Sequence, residues 1–156
     1  MKVHQLFISG ALIIGALSLP AVAAAASPAA PTCNSWSDDD FFTPSRLFIF
    51  HIPSTTRDGR QFNCVLRPGD RGAGVFILQD ALIKCYSQKI THDAIYGKKT
   101  AEAVANVQRF HKILDPRPNL AVDGVYGPDT MSAMEFGKYE VNDGPFSSCF
   151  FGIVSS

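Results

Sequence analysis

Asp93-Ala94-Ile95-Tyr96-Gly97-Lys98-Lys99-Thr100-Ala101-Glu102-Ala103 is answered thirty residues later by Asp123-Gly124-Val125-Tyr126-Gly127-Pro128-Asp129-Thr130-Met131-Ser132-Ala133. Asp, Tyr, Gly, Thr and Ala recur in register, and Ile95 is matched by Val125. Chance seldom spaces five identities this way, so the two stretches mark an internal repeat. Each copy reads as a turn that launches a helix.

Local chemistry supports that reading. Asp123-Gly124 favours a tight turn. Gly127 is expected to take backbone angles that a side chain resists. Pro128 suits the first helical position, where its fixed φ is already helical and its missing amide is not needed. Asp129 puts negative charge in the first helical turn, where the dipole favours it, whereas the first copy has Lys98 and Lys99 there at a cost of a few tenths of a kcal/mol each. Such a placement hints that these cations meet something outside the chain. Asp93 and Asp123 have two readings. Each carboxylate either accepts amides of its own turn or faces a ligand's hydroxyl or amide groups. Tyr96 and Tyr126 are either core aromatics or an amphipathic groove wall. Thr100 and Thr130 read as local hydrogen-bonding residues.

Working outward, Arg67-Pro68-Gly69-Asp70-Arg71-Gly72 is turn chemistry. Val75, Leu78, Leu82 and Cys85 follow at helical spacing, predicting a helix from about Ala73 to Cys85. A second helix is expected from Lys98, with Val104, Val107, Phe110 and Leu114 inward, until Asp115-Pro116-Arg117-Pro118 stops it. A third, shorter one starts at Pro128 and carries Met131, Met134 and Phe136. Arg46–Ile52 and Phe146–Val154 read as strands that pair with each other, while 27–40 reads as a mobile lead. The expected fold is therefore mainly α: a compact three-helix bundle with a small two-stranded β pairing. The expected organisation is a signal peptide at 1–26, an extension at 27–63 with a strand at 46–52, a domain at 64–137 and a tail at 138–156.

The ends and the composition set the class. Lys2 and His4 precede an apolar run from Leu6 to Leu19, followed by Ala-rich cleavage options. This is the pattern of a secretory signal peptide, short for a bilayer span of ~20 residues. Of 14 Lys and Arg, removing Lys2 leaves 13 against 14 Asp and Glu, so nothing in the charge balance suits nucleic acid. No membrane contact is expected after cleavage. Cys33, Cys64, Cys85 and Cys149 imply two disulfides in an oxidising compartment. Three connectivities are open to them; the one favoured is Cys64–Cys85 with Cys33–Cys149.

Leu66-Arg67-Pro68-Gly69-Asp70-Arg71-Gly72, Val75-Phe76-Ile77-Leu78-Gln79, Asp93-Ala94-Ile95-Tyr96-Gly97 with Thr100, Val107-Gln108 and the second turn through Thr130 together resemble the common bacterial peptidoglycan-binding domain. The resemblance runs from about Cys64 to Phe136. It implies a compact three-helix domain that docks on the cell wall, often beside a lytic enzyme. This chain departs from the pattern in Ala94 for the usual Gly and Lys98 for the common Pro. It also has a long Asp115–Val122 linker and the extra Cys64 and Cys85.

No catalytic constellation stands out. His51, His92 and His111 form no His-Glu-x-x-His motif. Carboxylate pairs such as Glu102 with Asp129 arise too easily to signify, and there is no Gly-x-Ser-x-Gly elbow. No cofactor, metal or catalytic residue is expected. The sequence reads as a secreted non-catalytic module whose partner is peptidoglycan, through glycan strand or stem peptide. Its expected binding residues are Asp93, Tyr96, Lys98, Lys99, Arg109, Asp123, Tyr126 and Thr130, around a groove near the repeated turns. Two rivals remain: a secreted interaction or inhibitor protein with a protein partner, favoured if the flanking aromatic segments are exposed, and a cell-wall hydrolase.

Overall fold

The repeated turns hang from one short stretch of backbone. Leu66 exchanges both backbone hydrogen bonds with Tyr126 (2.8 and 2.9 Å). Four residues on, the Tyr96 amide donates to Asp70 O (2.9 Å), and Gly69 and Gly72 donate to Tyr96 O and Ala94 O (both 3.0 Å). Leu66–Gly72 thus carries the second turn at one end and the first at the other. The computed structural model describes residues 29–43, 46–57, 59–115, 119–141 and 144–151. The signal peptide expected at 1–26 and residues 116–118 lie outside them.

Three helices follow the spine: α1 (Ala73–Lys84), α2 (Lys98–Leu114) and α3 (Pro128–Ala133). Pro128 occupies the start of α3 with Asp129 in its first turn, while α2 begins with no acidic residue there. Gly127 does not need the freedom expected of it. It is extended at φ −149°, and the positive φ falls three residues earlier, at Gly124 (70°) and at its counterpart Ala94 (60°).

The expected mainly helical three-helix bundle is overturned by a four-stranded antiparallel sheet in the order β1-β2-β3-β4. Its strands are β1 (Ser35–Thr43), β2 (Arg46–Ser54), β3 (Glu135–Glu140) and β4 (Phe146–Phe151). β1, Ser-Trp-Ser-Asp-Asp-Asp-Phe-Phe-Thr, lacks apolar alternation and reads as a solvated lead, but it is an edge strand, where charge is tolerated. The helical spacing that carries α3 on to Phe136 does not hold. The helix instead stops at Met134, which is extended (φ −83°, ψ 153°), and Phe136 lies in the strand. The pairing expected between β2 and β4 is therefore indirect: β3 sits between them and bonds to both.

The cysteine connectivity is also different. Cys33 joins Cys64 and Cys85 joins Cys149. The lead segment explains the first bond, since Cys33 donates to Val65 O (3.1 Å) and Val65 to Pro31 O (2.9 Å), laying 31–33 beside 64–65. That strip crosses α1 so closely that a Cβ on Gly74 would sit 2.0 Å from Cys33 O. The second bond follows from β4, which brings Cys149 to the residue that caps α1.

One core joins helices and sheet: Val75, Leu78 and Leu82 of α1, Val104 and Val107 of α2, Met131 of α3, and Phe50, Ile52 and Phe136 of the strands. Each such side chain contributes roughly 1.5–3 kcal/mol on burial. Among the described residues, no helix is long and apolar enough to cross a membrane.

Candidate functional site

The repeat is first of all a structural device. Gln79, buried on α1, accepts the Asp93 and Ala94 amides on its Oε1 (3.0 and 2.8 Å). Its Nε2 donates among Asp93 Oδ1, Ile95 O and Thr100 Oγ1 (2.9, 3.0 and 3.2 Å). Gln108 on α2 reproduces every contact one repeat later. It accepts Asp123 and Gly124 amides (3.0 and 2.9 Å) and donates among Asp123 Oδ1, Val125 O and Thr130 Oγ1 (2.9, 2.9 and 3.0 Å). Each Asp also accepts the amide two residues on, Ile95 or Val125, at 2.9 Å. One buried amide per repeat thus satisfies a whole turn, as a dry interior requires. The hydrogen bond from Gln79, then that from the Ile95 amide, hold the Asp93 carboxyl below its ordinary value.

Of the eight expected binding residues, the structure places five in this scaffold. Asp93, Asp123 and Thr130 are tied into the staples just described. Tyr96 and Tyr126 are only 1% and 0% exposed, so their rings cannot wall a groove open to solvent. The Tyr96 hydroxyl crosses the core to donate to Gly124 O (2.8 Å), whereas the buried Tyr126 hydroxyl has no hydrogen-bond partner among the described residues. Lys98, Lys99 and Arg109 are exposed. Lys98 lies 3.8 Å from Glu102, and Arg109 donates to Asn106 (3.1 Å). The hollow at the second turn is small, about 110 Å³, between Asn119, Asp123, Pro128 and Asp129.

A much larger cleft opens where the sheet meets α1. It holds about 800 Å³ and is lined by one stripe of the helix, Ala73, Phe76, Ile77, Asp80 and Lys84. Opposite stand Trp36 of β1, His51 of β2, Tyr139 of β3 and Phe146 of β4, and the end of the first turn closes it with His92 and Ala94. Phe76 is 43% and Phe146 40% exposed, and His92 stacks on Phe76 with centroids 3.7 Å apart. The His92 ring nitrogen is 2.9 Å from Phe76 O, which fixes this platform.

Polar groups are concentrated at one end of the cleft. Lys84 Nζ lies 2.9 Å from both Asp80 Oδ1 and the Tyr139 hydroxyl, and that hydroxyl donates to the other Asp80 oxygen. Burial pushes the Tyr139 phenol up to about 12, with the Asp80 hydrogen bond adding to the rise and Lys84 opposing it. Burial lowers the Lys84 pKa, but its bonds to Tyr139 and Asp80 outweigh that and leave it raised. Lys84 therefore stays charged at neutral pH, and Tyr139 stays protonated. Deeper in β1 and β2, His51 Nδ1 is 2.8 Å from Asp38. Among the described residues, no group of three or more His, Cys, Asp or Glu side chains could hold a metal ion.

The sequence did carry a signal for this cleft. Phe76 and Ile77 flank a helix whose opposite stripe, Val75, Leu78 and Leu82, is already buried, so α1 is apolar beyond one face. A helix apolar on more than one side needs a second neighbour. β2 is the strand most closely packed on α1, and the edge strand β1, which adds Trp36 to the cleft, was hidden by its serines and aspartates.

Residues 71–134, less than half of the chain, match the family described as "putative peptidoglycan binding domain". A solved structure, the Burkholderia AP3 phage endolysin, aligns with 43% identity over 44% of this chain and 23% of its own length, with a TM-score of 0.37. The chain thus spans under a quarter of that protein, and the superposition is too poor to carry an argument. No curated protein matches.

Proposed function

We propose, from the premise that residues 71–134 form a peptidoglycan-binding domain, that the chain is a secreted, non-catalytic module that binds bacterial cell-wall peptidoglycan through the cleft between α1 and the sheet. The observation that carries this is the cleft itself: about 800 Å³, walled by exposed aromatic rings and holding a few convergent polar groups. That is the usual make-up of a ligand site. The repeated turns then act as scaffold, and Lys98, Lys99 and Arg109, on α2, lie outside the lining of the cleft. Two disulfides suit an oxidising, extracellular setting.

Co-sedimentation with insoluble cell-wall sacculi tests the proposal. The oxidised protein pellets with sacculi, and Phe76→Ala shifts it toward the supernatant. Wild-type protein that stays in the supernatant refutes wall binding. A protein partner is the second reading, and it rests on a different surface. Phe110, Ile113 and Leu114 at the end of α2 are 51, 75 and 65% exposed, with Phe151 of β4 alongside His111. The aromatic segments themselves are divided between the two readings: Phe48, Phe50 and Ile52 are buried, while Phe146 and Phe151 are exposed.

A further inference from the structure

Resting on that reading, we infer that the cleft is built for the glycan strand, an N-acetylated hexosamine chain, and not for the stem peptide. Three features of the lining point the same way.

The first is the walls. Hexose rings are amphipathic: their C–H faces lie on aromatic rings while their hydroxyls project sideways. The stacked Phe76–His92 pair offers one flat platform, and Phe146 and Tyr139, 6.0 Å apart at a steep angle, offer another. The stripe on α1 runs from Ala73 in the first turn to Lys84 in the last. That is about 18 Å at 1.5 Å per residue, long enough for more than one sugar ring.

The second is charge. The two groups facing the ligand, Asp80 and Lys84, neutralise each other at 2.9 Å. A stem peptide presents free carboxylates, and the cation in the lining is already matched by a carboxylate of its own. A neutral glycan meets no such conflict. Its hydroxyls can donate to Asp80 and accept from Lys84, because an ammonium has three donors and a carboxylate about four acceptor sites. A purely apolar ligand would strip water from these groups without replacing its hydrogen bonds, at a cost of several kcal/mol.

The third is an orphaned donor. Trp36 lines the cleft, and its indole N–H is buried with no hydrogen-bond partner among the described residues. At rest this N–H is sealed from solvent, and an acetamido carbonyl of the glycan accepts it once the indole turns toward the cleft.

Trp36 is the only tryptophan in the chain, so its fluorescence reports on this cleft alone. The oxidised protein is titrated with a soluble β-1,4-linked N-acetylglucosamine oligomer and, separately, with a free stem pentapeptide. In parallel it is sedimented with sacculi. The oligomer is expected to shift Trp36 emission saturably and the pentapeptide to leave it unchanged. Phe76→Ala and His92→Ala, both at exposed rings, raise the half-saturation concentration at least about tenfold, or 1.4 kcal/mol. Their unfolding curves check that the fold is intact. Sedimentation with sacculi but a response only to the pentapeptide, or to neither ligand, overturns the glycan inference and leaves wall binding standing. An oligomer response without sedimentation overturns wall binding and retains the glycan site. Silence in every arm removes both.

Discussion

Tyr96 and Tyr126 occupy equivalent places in the repeat, yet removing their hydroxyls should move stability in opposite directions. Tyr96 donates to Gly124 O at 2.8 Å inside the core. Tyr96→Phe loses that bond and leaves a buried carbonyl short of a donor, a destabilisation of about 1–2 kcal/mol. The Tyr126 hydroxyl is buried without a partner among the described residues, so its desolvation is already unrelieved. Tyr126→Phe removes the group and its penalty, a stabilisation of about 1 kcal/mol. The two variants therefore differ by about 2–3 kcal/mol, or roughly 6–15 °C in melting temperature for a domain of this size. Burial raises both phenols above their ordinary value of 10.0, so the contrast holds from acid to mildly alkaline pH. Urea unfolding of the oxidised proteins measures it, with an unchanged m-value confirming that the same transition is compared. Equal losses in both variants would show that Tyr126 has a partner after all and would refute the reasoning.

The staples and turns give further tests. Gln108→Glu places a carboxylate against the Asp123 carboxylate and Val125 O, where the amide donated. A loss on the order of 3–4 kcal/mol at pH 7 is expected. Because the new group's folded pKa is raised, the deficit against wild type shrinks as pH falls through that value toward about 4.3, which paired urea titrations at several pH values will show. Asp93 works in the other direction: its folded pKa is lowered from 3.8, so its contribution is present above that value and fades as pH drops through the folded one, a trend Asp93→Asn abolishes. Ala94→Gly relieves a left-handed residue and raises stability by about 0.5 kcal/mol, net of the entropy of the unfolded chain. Gly124→Ala adds both that strain and a Cβ 2.8 Å from Ala101 O, and should cost more than about 2 kcal/mol in the same unfolding assay.

The helical half was legible because its signals are local. Pro128, the proline stop after Asp115 and the spacing of Val75, Leu78 and Leu82 each act within a few residues. The sheet was not, because its strands owe their state to partners far along the chain. Ser-Trp-Ser-Asp-Asp-Asp has little strand propensity of its own and is extended only because β2 lies opposite. Phe136 fits a helical spacing as well as a strand, and only the extended Met134 decides the matter. The disulfides were misread for the same reason, since their partners meet through those long-range contacts. At the site, the repeat drew attention to its most regular residues. Regularity there records the Gln79 and Gln108 staples, while the cleft is assembled from Trp36, His51, Phe76, Tyr139 and Phe146, none of which lies in the repeat.

Gly74 against Cys33 at one end and Cys85–Cys149 at the other leave α1 splinted at both tips. A recess framed by a splinted helix cannot swing open to admit a misfit or snap shut around a guest. Selection then rests on a preset outline and fixed polar groups, and little ordering entropy remains to be lost on contact. Thiol reduction should accordingly blur the recess first, while the two glutamine-pinned turns and α2, in which neither bridge has a cysteine, keep their shape.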